Sequence, residues 1–341
     1  MLNRAKEVDN QSYHTNNIQS KIDYPLSKVQ NKASNEILNY VKNKQDVIVN
    51  AVCGAGKTEL VFASIQYYIN QGLKVAFTCP RRDVCIEIHS RLKEVYPNVL
   101  MSLVYGGHTS SLNGQLIVLT THQLFRYKQY FDLLILDEAD AFPYYKNDFL
   151  ETFLNDSVKG PIIYLSATIT SYFTKRCKNI VCVNRRFHNH DLPVPKFIKY
   201  FFFNKVKVLN ETINQVKNKQ LLIFVPTIAI GKKLAKKIKI PFIYSSSIDK
   251  NKYILSFKEK KIKRLITTSI LERGITFFDV QVIVYEADNT LFDEASLTQI
   301  AGRVGRKIKA PTGKVFFLAS KKTTAITNCI KTIIKKNKEY E

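Results

Sequence analysis

Ten short runs rich in Val, Ile, Leu and Phe, separated by longer polar or amphipathic stretches, constrain this chain more than any other feature. The first five are DVIVNAV (46–52), KVAFTCP (74–80), QLIVLTT (115–121), LLILDEA (133–139) and PIIYLSAT (161–168). The second five are KYFFFNK (199–205), LLIFVPT (221–227), RLITTSI (264–270), QVIVYEA (281–287) and KVFFLAS (314–320). Strands this continuously apolar are those buried on both faces, which is the condition of a parallel sheet covered by crossover helices. At roughly 150 residues per domain, 341 residues allow about two such sheets. Between the two series, HNHDLPVPK (188–196) carries two prolines among polar residues and reads as a linker. The expected layout is a flexible tail over 1–24, a first α/β domain over 25–185 and a linker over 186–197. A second α/β domain over 198–325 and a basic C-terminal segment over 326–341 complete it.

Within the first series, NAVCGAGKTEL (50–60) puts a glycine-rich turn between a buried strand and a helix. Such a turn aims successive backbone N–H groups at a polyphosphate. Gly54, Ala55 and Gly56 form the turn, Lys57 reaches the β- and γ-phosphates, Thr58 offers a hydroxyl to Mg²⁺, and Glu59 closes the motif. Ala51 stands where the full GxxxxGK[ST] pattern has its outer glycine. Further on, LLILDEAD ends an apolar strand in Asp137 and Glu138. Asp137 is suited to hold Mg²⁺ and Glu138 to polarise an attacking water; the alternative is an acidic helix start. In the second series, QIAGRVGRK holds Gln299, Arg303 and Arg306 at about helical spacing. A guanidinium from a second domain can neutralise charge developing on a transferring phosphoryl group, whereas the bland reading is a structural arginine on a basic surface.

Charge points to the partner class. Lys and Arg number 52 against 28 Asp and Glu, a formal charge of +24, with lysines crowded into GKKLAKKIKI, FKEKKIKR and IKKNK. A field of that sign draws nucleic acid first and anionic membrane second, unless the lysines reflect compositional bias alone. No run approaches the ~18 apolar residues of a membrane span, and the start MLNRAKEVDNQSYHTNNIQSK has no apolar core, so a soluble cytoplasmic protein is expected. The six cysteines (Cys53, Cys79, Cys85, Cys177, Cys182, Cys329) form no CxxC pair, which fits reduced thiols, and no zinc is expected.

Taken in order, the motifs resemble those of superfamily 2 helicases and translocases across nearly the whole chain: AVCGAGKTE, TCPRRDV, TTHQL, LDEADAFPY, LSAT, LIFVPT, TTSILERGITF and QIAGRVGR. AVCGAGKTE, CPRRDV, DEADAFPY, PVPKF and QIAGRVGRK further resemble the late-competence DNA-import ATPase family, ComFA. Members of that family commonly carry an N-terminal four-cysteine zinc site, and here no cysteine precedes Cys53. The resemblance implies two tandem RecA-like domains with the nucleotide site in the cleft between them. It implies use of ATP and Mg²⁺ to move single-stranded DNA during natural transformation. By the same resemblance Gln30 recognises adenine, and Ser166, Ala167 and Thr168 couple hydrolysis to movement. Pro80, Arg81, Arg82, Thr120, Thr121, Pro226, Thr227, Thr267, Thr268, Arg273 and Gly274 would then contact the DNA backbone. Competence proteins at the import channel, a homo-oligomeric ring and peripheral association with the cytoplasmic face of the membrane are further implications. An RNA helicase and a nucleotide-switched clamp that does not translocate remain alternatives. Gln299, where DEAD-box RNA helicases have a histidine, weighs against the former. His108 and His122 read as loop histidines rather than catalytic ones.

Overall fold

The computed structural model describes residues 13–14, 17–22, 24–140, 144, 147–167, 171–271 and 277–338. The chain divides into two units, Met1–Val183 and Asn184–Glu341, each built on its own sheet.

In the first unit the strands are β1 (Val47–Ala51), β2 (Val75–Cys79), β3 (Met101–Tyr105), β4 (His108–Thr109), β5 (Leu116–Thr120), β6 (Leu133–Leu136), β7 (Ile162–Ser166) and β8 (Ile180–Val183). They run in the order β4-β3-β5-β2-β6-β7-β1-β8. All neighbours are parallel except β4, which turns back on β3. Every residue of β2, β5 and β7 is buried, as expected of strands covered on both faces. The helices are α1 (Lys28–Lys42), α2 (Lys57–Leu60), α3 (Phe62–Asn70), α4 (Arg82–Val95), α5 (Asp148–Ser157) and α6 (Ser171–Thr174). A capping box starts α1: the Ser27 hydroxyl accepts from the Gln30 N–H, and the Gln30 carboxamide accepts from the Ser27 N–H.

Residues 17–22, expected as part of a flexible tail, lie against this unit instead. Ile18 exchanges two hydrogen bonds with the Asn70 side chain, Ser20 N–H donates to Gln66 Oε1, and Lys21 N–H donates to the Val95 carbonyl. Hydrogen bonds from its backbone to the Gln66 and Asn70 side chains of α3 and to the Val95 carbonyl of α4 hold a segment with too little apolar surface to announce itself in the sequence.

The second unit stacks β9 (Lys196–Lys199), β10 (Gln220–Phe224), β11 (Phe242–Ile243), β12 (Arg264–Thr267), β13 (Val280–Tyr285) and β14 (Val315–Ala319) in the order β11-β12-β10-β13-β14-β9, all parallel. Helices α7 (Lys205–Asn214), α8 (Ile228–Ile238), α9 (Lys250–Lys258), α10 (Glu294–Ala301) and α11 (Thr324–Lys338) surround it. Because every strand is parallel, the loops after β9, β10, β12, β13 and β14 leave from one edge of the sheet.

Three expectations change here. Arg186, expected in the linker, is buried in this unit, and β9 begins at Lys196. The run KYFFFNK is not a strand: β9 stops at Lys199, Phe201–Phe203 lie in a turn closed by Asn204, and α7 begins at Lys205. The basic C-terminal segment is a packed helix, with Ile326, Cys329 and Ile333 of α11 buried and the Thr298 hydroxyl of α10 3.4 Å from Cys329 Sγ.

Candidate active site

The loop from β1 to α2 turns on two residues in the left-handed region, Gly54 at φ +86° and Gly56 at φ +81°. A Cβ on Gly56 would lie 2.6 Å from Gln30 Nε2, so glycine is required for space as well as for backbone angle. Gln30 clasps the loop: its Nε2 donates to the Ala55 carbonyl at 2.9 Å while its Oε1 holds the Ser27 N–H at 3.0 Å. Lys57 and Thr58 open α2, the first half-buried and the second buried. The Glu59 carboxylate lies against the loop, with Oε2 3.1 Å from where a Cβ on Gly56 would stand, while Oε1 accepts from the Tyr24 hydroxyl at 2.8 Å and pairs with Arg91 of α4. Its contacts are those of a brace between α2, α4 and the segment before α1.

Asp137 and Glu138 follow β6 directly. The Asp137 N–H donates to the Thr78 carbonyl of β2 at 2.9 Å, and the Ala139 N–H donates to the Leu165 carbonyl of β7 at 3.0 Å. Pinned at both ends, the turn holds Glu138 at φ +52° and lets its N–H donate to Asp137 Oδ1 at 2.9 Å. Burial, then the charge of Glu138, push the Asp137 carboxyl up to about 7, against the pull of the Lys57 ammonium and the Glu138 N–H. A carboxylate that resists ionising alone, with a neighbouring carboxylate and a hydroxyl on Thr58, is a hard-oxygen donor set suited to Mg²⁺. Ser166 ends β7, buried and in register with Asn50 of β1, and Ala167 is buried beside it. Thr168 lies outside the described residues.

Candidate strand-binding residues divide by exposure. Arg82 is exposed with its guanidinium 4.8 Å over the Tyr105 ring, and that ring stacks on exposed His108 at 4.8 Å. Arg81 is half-buried, whereas Pro80 and Thr120 are buried. The expectation is amended for Thr121 and Thr267, whose hydroxyls are fully buried and donate to the Cys79 and Thr268 carbonyls. Such hydroxyls stabilise loops from inside. Thr227 caps α8, accepting from the Ile230 N–H, beside half-buried Pro226; Thr268 is also half-buried. Arg273 and Gly274 lie outside the described residues, and His122 is exposed.

Around α10, Gln299 and Arg303 are buried and Arg306 is half-buried, with its Nε donating to the Gly302 carbonyl at 2.9 Å. Sequence reasoning missed the residue that organises this loop. Arg186 is 2% exposed, and its guanidinium donates to the carbonyls of Val304 (2.6 Å), Gly305 (2.6 Å) and Gly302 (3.1 Å). His188 Nε2 adds a contact to the Gly305 carbonyl at 2.9 Å.

A phosphate loop, a pinned Asp–Glu pair and two mainly parallel sheets define an ATP-dependent hydrolase of the helicase type, with two RecA-like domains. Residues 27–175 match the DEAD/DEAH box helicase family and residues 204–307 the helicase conserved C-terminal domain. In fold, the chain is similar to S. cerevisiae Dbp5 bound to RNA and ADP BeF3 (TM-score 0.72, 20% identity, 93% of this chain and 88% of that one). It is similar also to Mycobacterium smegmatis helicase Lhr bound to ssDNA and AMP-PNP (TM-score 0.65, 16% identity, 90% of this chain and 50% of that one). Sequence narrows the assignment. Competence protein ComFA of Streptococcus pneumoniae (strain ATCC BAA-255 / R6) is 38% identical over 336 residues, 92% of this chain and 78% of the relative. That of Bacillus subtilis (strain 168) is 34% identical, over 92% of this chain and 73% of the relative. The chain belongs to the ComFA family of competence proteins. Among the described residues no helix is long and apolar enough to cross a membrane.

Proposed function

We propose that this chain is an ATP-driven motor on single-stranded DNA that serves DNA uptake in natural transformation. The observation that carries the reading is the pinned turn at Asp137–Ala139. It joins the hydrolysis carboxylates by one hydrogen bond to β7, the strand that ends in Ser166.

In this reading the N–H groups of the Gly54–Gly56 loop and Lys57 bind the phosphates of ATP, and Gln30 turns its remaining amide hydrogen to adenine. Thr58 and Asp137 would hold Mg²⁺, which when bound neutralises phosphate charge. Glu138 orients water and takes its proton. The two domains close on ATP, and an arginine then meets the charge developing on the γ-phosphoryl group. Arg306, half-buried, takes this part, with Arg303 and Gln299 fixed behind it. Ser166, Ala167 and Thr168 relay the change to the strand-binding loops.

Arg81, Arg82, Thr227, Thr268, Arg273 and Gly274 hold the DNA backbone, with Thr120, Thr121 and Thr267 contributing through the main chain and Pro80 and Pro226, which lack an N–H, lining the path. Such contacts are sequence-independent and salt-sensitive. Competence proteins at the import channel, assembly into a homo-oligomer and peripheral placement at the cytoplasmic membrane face complete the reading.

The test is the ATPase rate with single-stranded DNA, duplex DNA or RNA at low and high salt, beside Lys57→Ala. Salt-sensitive stimulation by single-stranded DNA, abolished in the variant, is expected. Stimulation chiefly by RNA, or DNA binding with no hydrolysis, overturns the motor.

A further inference from the structure

Three consecutive phenylalanines stand in water at the end of the edge strand β9. Phe201 is 55% exposed, Phe202 86% and Phe203 87%, in a turn where Phe201 N–H donates to Asn204 Oδ1 and Asn204 N–H to the Phe201 carbonyl. Beneath the turn, buried Tyr200 and Tyr285 stack at 6.3 Å and anchor its base. Large apolar side chains exposed together are uncommon on a soluble unit and mark a contact surface.

The surroundings identify what is contacted. The Phe201 and Phe203 rings lie parallel within 7°, centroids 5.8 Å apart, an offset stack in which Phe203 is the more exposed member and can accept a further planar group. Lys199 Nζ sits 5.4 Å from the Phe201 ring and Lys205 Nζ 5.5 Å from Phe202. Lys196 and Lys207 flank the turn in sequence, and no acidic residue occurs between Lys196 and Asn210. The nearby carboxylates are already engaged: Glu286 pairs with Lys205 at 2.8 Å, and Asp288 accepts from Ser320. Exposed aromatic rings beside Lys196, Lys199 and Lys207 are what single-stranded nucleic acid requires, the rings for bases and the ammonium groups for phosphates.

Position agrees with chemistry. The turn leaves the same sheet edge as Thr267–Thr268 and lies four strand positions away through β10, β13 and β14. At about 4.8 Å per strand that is about 19 Å. At about 3.4 Å per stacked nucleotide, five or six nucleotides span it.

We propose that Phe201–Phe203 form a base-stacking station for single-stranded DNA, a second grip beyond the backbone-binding loops. It rests on the DNA-motor reading. A station that holds bases by stacking retains the strand, without regard to sequence, while phosphate contacts are broken and remade.

The experiment measures binding of the full chain to a fluorescent oligo-dT and to an abasic strand of equal length, for the wild type and for F202S/F203S. Both substituted rings are exposed, so the variant keeps its unfolding midpoint. We expect the variant to bind oligo-dT about 5- to 100-fold more weakly. The abasic strand should bind both proteins alike, and Phe203→Trp on its own should keep the oligo-dT affinity. Unchanged oligo-dT affinity in F202S/F203S, or an equal loss on the abasic strand, overturns the station and leaves the motor reading intact. Loss of binding to phosphatidylglycerol vesicles with DNA affinity unchanged makes the turn a membrane contact and also overturns it. A wild type that binds no oligo-dT overturns both readings together.

Discussion

Replacing Arg186 by methionine tests whether the arginine-bearing loop after α10 is held from behind. The side chain fills similar length and keeps the interior apolar, but it removes the donor serving three carbonyls, at Gly302, Val304 and Gly305. Each buried acceptor left without a partner costs about 1–3 kcal/mol. Removing a buried charge recovers part of that, because its desolvation is no longer required. His188 retains its contact to Gly305 and Arg306 Nε its bond to Gly302, so of the three carbonyls only Val304 loses the donor described for it. The balance is a loss of about 2 kcal/mol from the second unit. For a domain of this size 1 kcal/mol moves the midpoint by about 2–4 °C, so calorimetry should show a transition lowered by about 4–8 °C. Arg186→Lys should recover less than half, since one ammonium cannot reproduce a planar fork aimed at three acceptors. Because Arg306 bonds to Gly302 in the same loop, kcat of the ATPase should fall while KM for ATP changes little. A midpoint within about 2 °C of wild type would refute the clamp.

Two further outcomes follow from ionisation. A folded-state carboxyl raised to about 7 at Asp137 binds its proton more tightly than in the unfolded chain, so it lowers stability as pH rises from the carboxylate range through 7. Asp137→Asn should therefore abolish ATPase yet raise the midpoint at about pH 8, with the difference vanishing by about pH 4; equal midpoints throughout would contradict it. Glu151 behaves oppositely: burial raises its pKa, but hydrogen bonds from Arg176 and Tyr172 outweigh this and hold it below its ordinary value of 4.5. Its contribution is present above pH 4.5 and lost as pH falls through the lowered pKa, so Glu151→Gln should converge with wild type in acid when unfolding is followed against pH.

Legibility in the sequence followed the range of the interaction. Gly54 and Gly56 were readable because a phosphate loop needs positive φ, a demand that local sequence states. The buried strands were readable because two covered faces leave nine continuous apolar runs. Strands β3 and β8 were not, since MSLVY and IVCV mix small or polar residues into short runs. The triple phenylalanine misled for a physical reason: aromatic β-propensity describes a half-buried pleated surface, and the sheet ends at Lys199 before that surface is available. Arg186 was invisible because its acceptors lie 116 to 119 residues away. Thr121 and Thr267 matched motif positions, yet position alone does not say whether a hydroxyl faces solvent or a carbonyl.

The geometry at Glu138 shows how the sheet itself sets the chemistry. A non-glycine residue in the left-handed region costs about 1–2 kcal/mol, and Glu138 sits there at φ +52°. The conformation persists because hydrogen bonds on either side, Asp137 to Thr78 of β2 and Ala139 to Leu165 of β7, over-determine it. Those partners belong to the two strands that flank β6, so the register of three parallel strands fixes the backbone from which the Glu138 side chain leaves. A shift of β7 by a fraction of an ångström would loosen the Ala139 bond and relax the strain at Glu138. Because β7 ends in Ser166, the Ala139 bond to Leu165 ties the strained turn to the strand that leads into the proposed coupling segment, and in the proposed motor that bond is where hydrolysis and strand movement would affect one another.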